Sequence, residues 1–259
     1  MEWYHYVIAL VGSALAGAIN TLAGNGSAIT LTIMTELLGL PGNMANGTNR
    51  IGVFTQSAAG SWAFYKKGRL NLTNSGLFTA PMVVGAIIGV LVAVWVSNEQ
   101  FKFVFKILMV VMLFAVLVNP KRWVRETDPD AKPNPWISIP LFLALGFYGG
   151  FIQMGMGIFF LAVMVLGARF SLIDSNAVKA FVIAIYTAIV IAIFQWKGLI
   201  DWPIGLLFAA GQTVGGYFTA RHAANHPKAN IWAHRLLVLI VVLAILQLFG
   251  LPKLLGIAK

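Results

Sequence analysis

The chain has 259 residues, of which 59% are hydrophobic and 10% charged, and its mean hydropathy is +0.84. Soluble domains carry about 25% charged residues, so this surface is too poor in charge to be solvated as a water-soluble globule. Cysteine is absent, which excludes a disulfide scaffold, a thiol nucleophile and a cysteine metal site. The net charge of +10 does not read as nucleic-acid binding. Lys and Arg fall in short gaps between apolar runs, as in the loops of a membrane protein.

A spanning helix needs about 20 mostly apolar residues. Long runs lie at 4–23, 45–66, 74–97, 102–119, 136–153, 173–196, 203–221 and 231–250. Two shorter runs, 27–39 and 157–168, predict half-helices or re-entrant pieces. Alternating barrel segments are absent. The expected fold is an all-α polytopic membrane protein embedded in a lipid bilayer. Before the first run there is no Lys or Arg, whereas Trp3, Tyr4 and Tyr6 are aromatic. That pattern suits an interfacial anchor better than a signal peptide.

The one clearly hydrophilic stretch is 119–135, interrupted by prolines at 120, 129, 133 and 135. It divides the chain into a first transmembrane repeat, 1–118, and a second, 136–259, with itself as a cytoplasmic linker. The halves match. Asn46, Phe64, Lys67-Gly68, Asn71 and Gly85 recur, at one constant offset, as Asn176, Phe194, Lys197-Gly198, Asp201 and Gly215. Gly24-Asn25-Gly26 recurs as Gly155-Met156-Gly157, one position off the same offset. Each half reads as about five helical elements with a short helix after a Gly-rich break. Five is odd, so the expectation is two inverted repeats with broken helices at the centre.

Positive charge tests the orientation. The N-terminal side would hold Lys102, Lys106, Lys197, Lys253 and Lys259. The opposite side would hold eleven: Lys66, Lys67, Arg69, Lys121, Arg122, Arg125, Lys132, Arg169, Arg221, Lys228 and Arg235. The positive-inside rule then makes that opposite side cytoplasmic and both termini periplasmic.

Non-helical backbone at membrane depth survives where protein or a watery cavity satisfies it. Breaks at matching places in two halves point to a transport site. Gly24, Asn25 and Gly26 in the first break, and Gln153, Gly155 and Gly157 around the second, are therefore candidate substrate-binding residues. Helices starting after Gly26 and Gly157 would aim backbone N–H groups at an anion; the bland alternative is close helix packing. Arg50 and Lys179 lie a turn or two inside apolar runs, where a charge costs roughly 2.5–3.5 kcal/mol at the bilayer centre. An anion pocket explains both; snorkelling to the interface is the alternative, and Asp174 is a local partner for Lys179. Asn49 and Gln56 are amide donors on the Arg50 run. Glu36 is the acidic candidate for proton coupling. No catalytic or metal constellation and no cofactor motif is present: His5, His222, His226 and His234 lie near run ends without carboxylates at ligand spacing. The expectation is a transporter, not an enzyme.

Several motifs carry a resemblance. Ala23-Gly24-Asn25-Gly26-Ser27, Leu38-Gly39-Leu40-Pro41, Ala45-Asn46-Gly47-Thr48-Asn49-Arg50 and Lys67-Gly68-Arg69-Leu70-Asn71 resemble the first half of the TauE/SafE sulfite exporters. Asp174-Ser175-Asn176-Ala177-Val178-Lys179 and Trp196-Lys197-Gly198-Leu199-Ile200-Asp201-Trp202 resemble the second. The resemblance implies a bacterial inner-membrane permease that exports small sulfur-containing anions such as sulfite, sulfoacetate or other organosulfonates. An anion channel, or a permease for another oxyanion or a carboxylate in either direction, fits the same residues.

Overall fold

In the computed structural model, residues 3–71, 75–95, 126–128 and 134–248 are described. The expected run 102–119 and most of the 119–135 linker lie outside them. The described residues form helices without a strand. In chain order these are α1 (Trp3–Leu22), α2 (Gly26–Thr32), α3 (Gly42–Lys66), α4 (Ser75–Ala93), α5 (Pro135–Phe151), α6 (Met156–Ala162), α7 (Leu172–Trp196), α8 (Trp202–Ala223) and α9 (Ala229–Leu248). The two short helices each run into a five-residue π turn, Ile33–Leu37 and Val163–Gly167.

Local chemistry sets these boundaries. Asn134 caps α5 by accepting from the Trp136 amide at 3.0 Å, with Pro135 as the first helical residue. Ser171 caps α7 by accepting from the Asp174 amide at 3.1 Å. Asp201 caps α8 by accepting from the Ile204 amide at 3.0 Å.

The elements recur along the chain. A single constant offset carries the starts and ends of α2, its π turn and α3 onto those of α6, its π turn and α7, Gly26 onto Met156 and Gly42 onto Leu172. The matched helices α3 and α7 run antiparallel. Gly47 near the start of α3 lies against Phe194 near the end of α7, whereas Phe64 near the end of α3 shares a core cluster with Leu172 and Ile173 at the start of α7. Small residues let helices from opposite halves close on each other. A β-carbon on Gly17, Gly211 or Gly215 would strike the backbone across the α1–α8 seam, and one on Gly85, Gly89, Gly146 or Gly150 that across the α4–α5 seam. Both seams are parallel, and both join one half to the other.

Among the described residues, three helices are long and apolar enough to cross a membrane: Trp3–Leu22, Gly76–Ala93 and Leu172–Trp196. Apolar side chains such as Val11, Leu15, Val84, Ile88 and Ile185 face outward, a surface that lipid accepts and water does not. Helix α3 is the reverse. It buries Thr48, Asn49, Arg50, Gln56 and Ser57. This all-α architecture, apolar outside and polar along one buried stripe, is that of a polytopic membrane protein.

Candidate functional site

Two chain breaks approach each other inside the bundle. The first, 23–25, separates α1 from α2, and the second, 152–155, separates α5 from α6. α2 starts at Gly26 and α6 at Met156. Gly24 sits in left-handed backbone, φ +81°, where an L side chain is strained. A β-carbon on Gly157 would stand 2.5 Å from Gly24 Cα, so the first break touches the first turn of α6 backbone to backbone.

A helix end leaves its last carbonyls without intrahelical partners. Here side chains from the other half fill that need. Arg50 Nη1 donates to Gly149 O at 2.6 Å and to Gln153 Oε1 at 2.8 Å; Nη2 donates to Gly150 O at 3.1 Å and to Asn46 Oδ1 at 3.2 Å. Asn46 Nδ2 donates to Phe151 O at 3.2 Å. Thus Asn46 and Arg50 of α3 hold the end of α5. In mirror fashion α7 holds the end of α1. Lys179 Nζ donates to Asn20 O at 2.8 Å, Thr21 O at 3.2 Å and Asn176 Oδ1 at 2.5 Å, and Asn176 Nδ2 donates to Leu22 O at 3.1 Å.

Both cations are buried, Arg50 at 0% and Lys179 at 3% exposure, so neither side chain snorkels to an interface. Asp174 is not the partner of Lys179. It pairs with Arg69 at 3.7 Å and accepts from Thr127. The ion pairs among the described residues are Arg69–Asp174 and Arg169–Asp128, so neither buried cation faces a carboxylate there. Each helix C-terminus supplies roughly half a negative charge. Two such ends offset two full cations only in part, so the surroundings of Arg50 and Lys179 stay net positive.

Gln153 is the second unusual backbone. It adopts φ +66°, a conformation that costs a non-glycine roughly 1–2 kcal/mol. Its side chain explains why it stays: Oε1 accepts from Arg50 Nη1 and, at 2.8 Å, from Tyr186 OH. Strain held in place beside a buried cation is the kind found at working sites.

Of the sequence candidates, the structure gathers Gly24, Gly157, Arg50 and Gln153 at and around the second break and Lys179 at the end of α1. Asn25, Asn49 and Gln56 are buried, and Asn25 Oδ1, Asn49 Nδ2, Gln56 Oε1 and Arg50 Nε have no hydrogen-bond partner. Glu36 is apart from these. It is exposed on the first π turn, accepts from Thr35 at 3.2 Å and hydrogen-bonds neither cation. Sequence reasoning missed Thr30, Asn176 as a helix-end ligand, Tyr186 and Gln212. Gln212, a large amide within the apolar run 203–221, is the signal that could have found that seam.

Residues 9–248 match the family model described as "Sulfite exporter TauE/SafE". A "Probable membrane transporter protein ORF9" of Sinorhizobium sp is 26% identical over 236 residues, covering 91% of this chain and 89% of that one. A "Probable membrane transporter protein" of Haemophilus influenzae is 26% identical over 220 residues, 84% of each chain. The "Probable membrane transporter protein YfcA" of Escherichia coli K12 is 25% identical over 211 residues, 80% of this chain and 76% of that one. No solved structure matches.

Proposed function

The chain belongs to the sulfite exporter TauE/SafE family, a family of membrane transporters rather than enzymes, and from that premise we propose that it exports a small sulfur-containing anion, such as sulfite or an organosulfonate, across the bacterial inner membrane. The observation that carries the anion is the pair Arg50 and Lys179. They are buried beside two helix breaks, face no carboxylate among the described residues, and are offset only in part by helix-end dipoles. A buried charge without a counter-charge is costly, and an incoming anion removes that cost. The unpartnered Arg50 Nε is a further donor for oxyanion oxygens.

The transport cycle in this reading is alternating access between two inverted repeats, with both termini periplasmic. The antiparallel packing of α3 against α7, the recurrence of elements at a constant offset, and the reciprocal grip of each half on the other's broken helix support it. A carrier built this way moves one half against the other around a fixed site.

The test is flux in proteoliposomes holding the full chain, with sulfite, sulfoacetate and inorganic phosphate as separate substrates. Saturable flux of the sulfur anions, lowered roughly tenfold or more in Arg50→Gln and Lys179→Gln, supports the reading. Flux that rises linearly with driving force points to a channel, and flux of phosphate alone overturns the substrate assignment.

A further inference from the structure

The two halves differ where their recurrence would make them alike. Asn49 Oδ1 accepts from Thr30 Oγ1 at 2.7 Å and from Gln212 Nε2 at 3.3 Å. Its oxygen is taken, so Nδ2 is the free end of that amide, and it has no partner. Two turns along the same face of α3, Gln56 Oε1 is also unpartnered, as is Asn25 Oδ1 in the first break. Asn25, Asn49 and Gln56 are each no more than 3% exposed. Asn49, Gln56 and Gln212 share one seam, between α3 and α8. Gly52 lies between Asn49 and Gln56, and a β-carbon there would stand 2.7 Å from Gln212 Cδ; one on Gly216 would stand 3.3 Å from Thr21 Oγ1 and 3.4 Å from Gln56 Cδ. Glycines thus make room in the seam for the side chains of Gln212 and Gln56.

At the repeat-related places on α4, α6 and α7, apolar core side chains stand instead. The offset that carries α3 onto α7 pairs Thr30, Gly52, Gln56 and Gln212 with Phe160, Val182, Tyr186 and Met82. All four of these counterparts belong to a single apolar cluster. Those counterparts pack as apolar core, and the unpartnered buried atoms on α7 are the hydroxyls Ser175 Oγ and Thr187 Oγ1 rather than amides. Proteins leave such atoms unsatisfied at a cost, and a ligand that satisfies them recovers it.

We propose that Asn49, Gln56 and Gln212 form a one-sided subsite, along the α3–α8 seam, for an uncharged polar group on the transported anion. This inference rests on the transporter reading above. The free groups are one donor, Asn49 Nδ2, and one acceptor, Gln56 Oε1. A hydroxyl serves both needs, because it donates one hydrogen bond and accepts others. The ligand class is therefore a small organic anion that carries a hydroxyl. Its anionic end meets the net positive surroundings of Arg50 and Lys179, and its hydroxyl meets the amides.

The experiment measures equilibrium binding to the purified full chain in detergent, with two matched pairs of probes. These are 2-hydroxyethanesulfonate against ethanesulfonate, and 3-hydroxypropanoate against propanoate. The expected result is about tenfold or tighter binding of the hydroxylated sulfonate, since the plain one leaves the amides unpaired. Gln56→Leu should erase that preference while weak binding of the plain sulfonate remains; Gln212→Leu is the second variant. Met82→Leu, the matching change in the apolar cluster of α4, α5 and α7, should leave the preference intact. Equal binding within both pairs overturns the subsite and leaves the transporter reading standing. A hydroxyl preference among the carboxylates alone supports the subsite and overturns the sulfur-anion reading. Binding of none of the four overturns both, and a preference that persists in both glutamine variants overturns the assignment to these residues.

Discussion

Gly24 lies directly against Gly157, so the break in the first half and the start of α6 in the second share one backbone contact. Backbone cannot swing aside as a flexible side chain does. A methyl group on Gly157 should therefore push the first break and α6 apart, at about 1–3 kcal/mol for overpacking. Gly24→Ala should cost roughly 1–2 kcal/mol more, because its φ of +81° is left-handed. Thermal unfolding of the two variants in detergent checks both. Melting temperatures equal to that of the native chain would mean the two segments stand apart.

The reciprocal grip on helix ends predicts a pattern of couplings. Asn176→Leu and Lys179→Met both expose carbonyls of α1, and each should destabilise the chain by about 1–3 kcal/mol. Because they serve one helix end, their double variant should lose less than the sum. Asn46→Leu acts on α5 instead. It shares no partner with Asn176, so Asn46→Leu with Asn176→Leu should add to within about 0.5 kcal/mol. Denaturation of singles and doubles reads out both cases.

Arg50→Lys separates geometry from charge. The variant keeps the cation but not the fork by which two nitrogens reach two carbonyls and two side-chain amides. Stability should fall by about 1–3 kcal/mol as acceptors go unpaired, while anion affinity falls less than in Arg50→Gln. Calorimetric titration with sulfite compares them. Equal affinity of the Lys and Gln variants would show that the charge does not hold the anion.

A polar network at one end of the bundle should respond to salt. Arg69 pairs with Asp174 and its Nε donates to Ala224 O at 2.6 Å. Thr127 joins Asp174 and accepts from the Ser171 amide at 2.8 Å. The ion pair is partly exposed, with side chains 35% and 18% accessible. It is worth only about 0.2–1 kcal/mol, and less as ionic strength rises. Asp174→Asn should thus lower the melting temperature slightly at low salt, with the difference from the native chain shrinking at about 1 M salt.

Helix existence was legible from the chain because lipid imposes a simple demand, about 20 apolar residues per crossing. The expected runs and the two short ones coincide with described helices to within a few residues, apart from 102–119, which lies outside them. The breaks were legible because glycine and polar residues interrupt otherwise apolar sequence at matched places. Arg50 and Lys179 stood out because charge inside an apolar run has few explanations. What those cations hold was decided by tertiary structure. Sequence weighed an anion against the interface, whereas each side chain first finds the end carbonyls of a helix from the other half, Arg50 at Gly149 and Lys179 at Thr21. Such partners have no sequence spacing to betray them. The same holds for Gln212, which joins Asn49 only because glycines at 17, 52 and 216 let α1, α3 and α8 close together. Polar residues announce that a partner must exist in a dry interior; which partner it is depends on how helices distant in sequence pack.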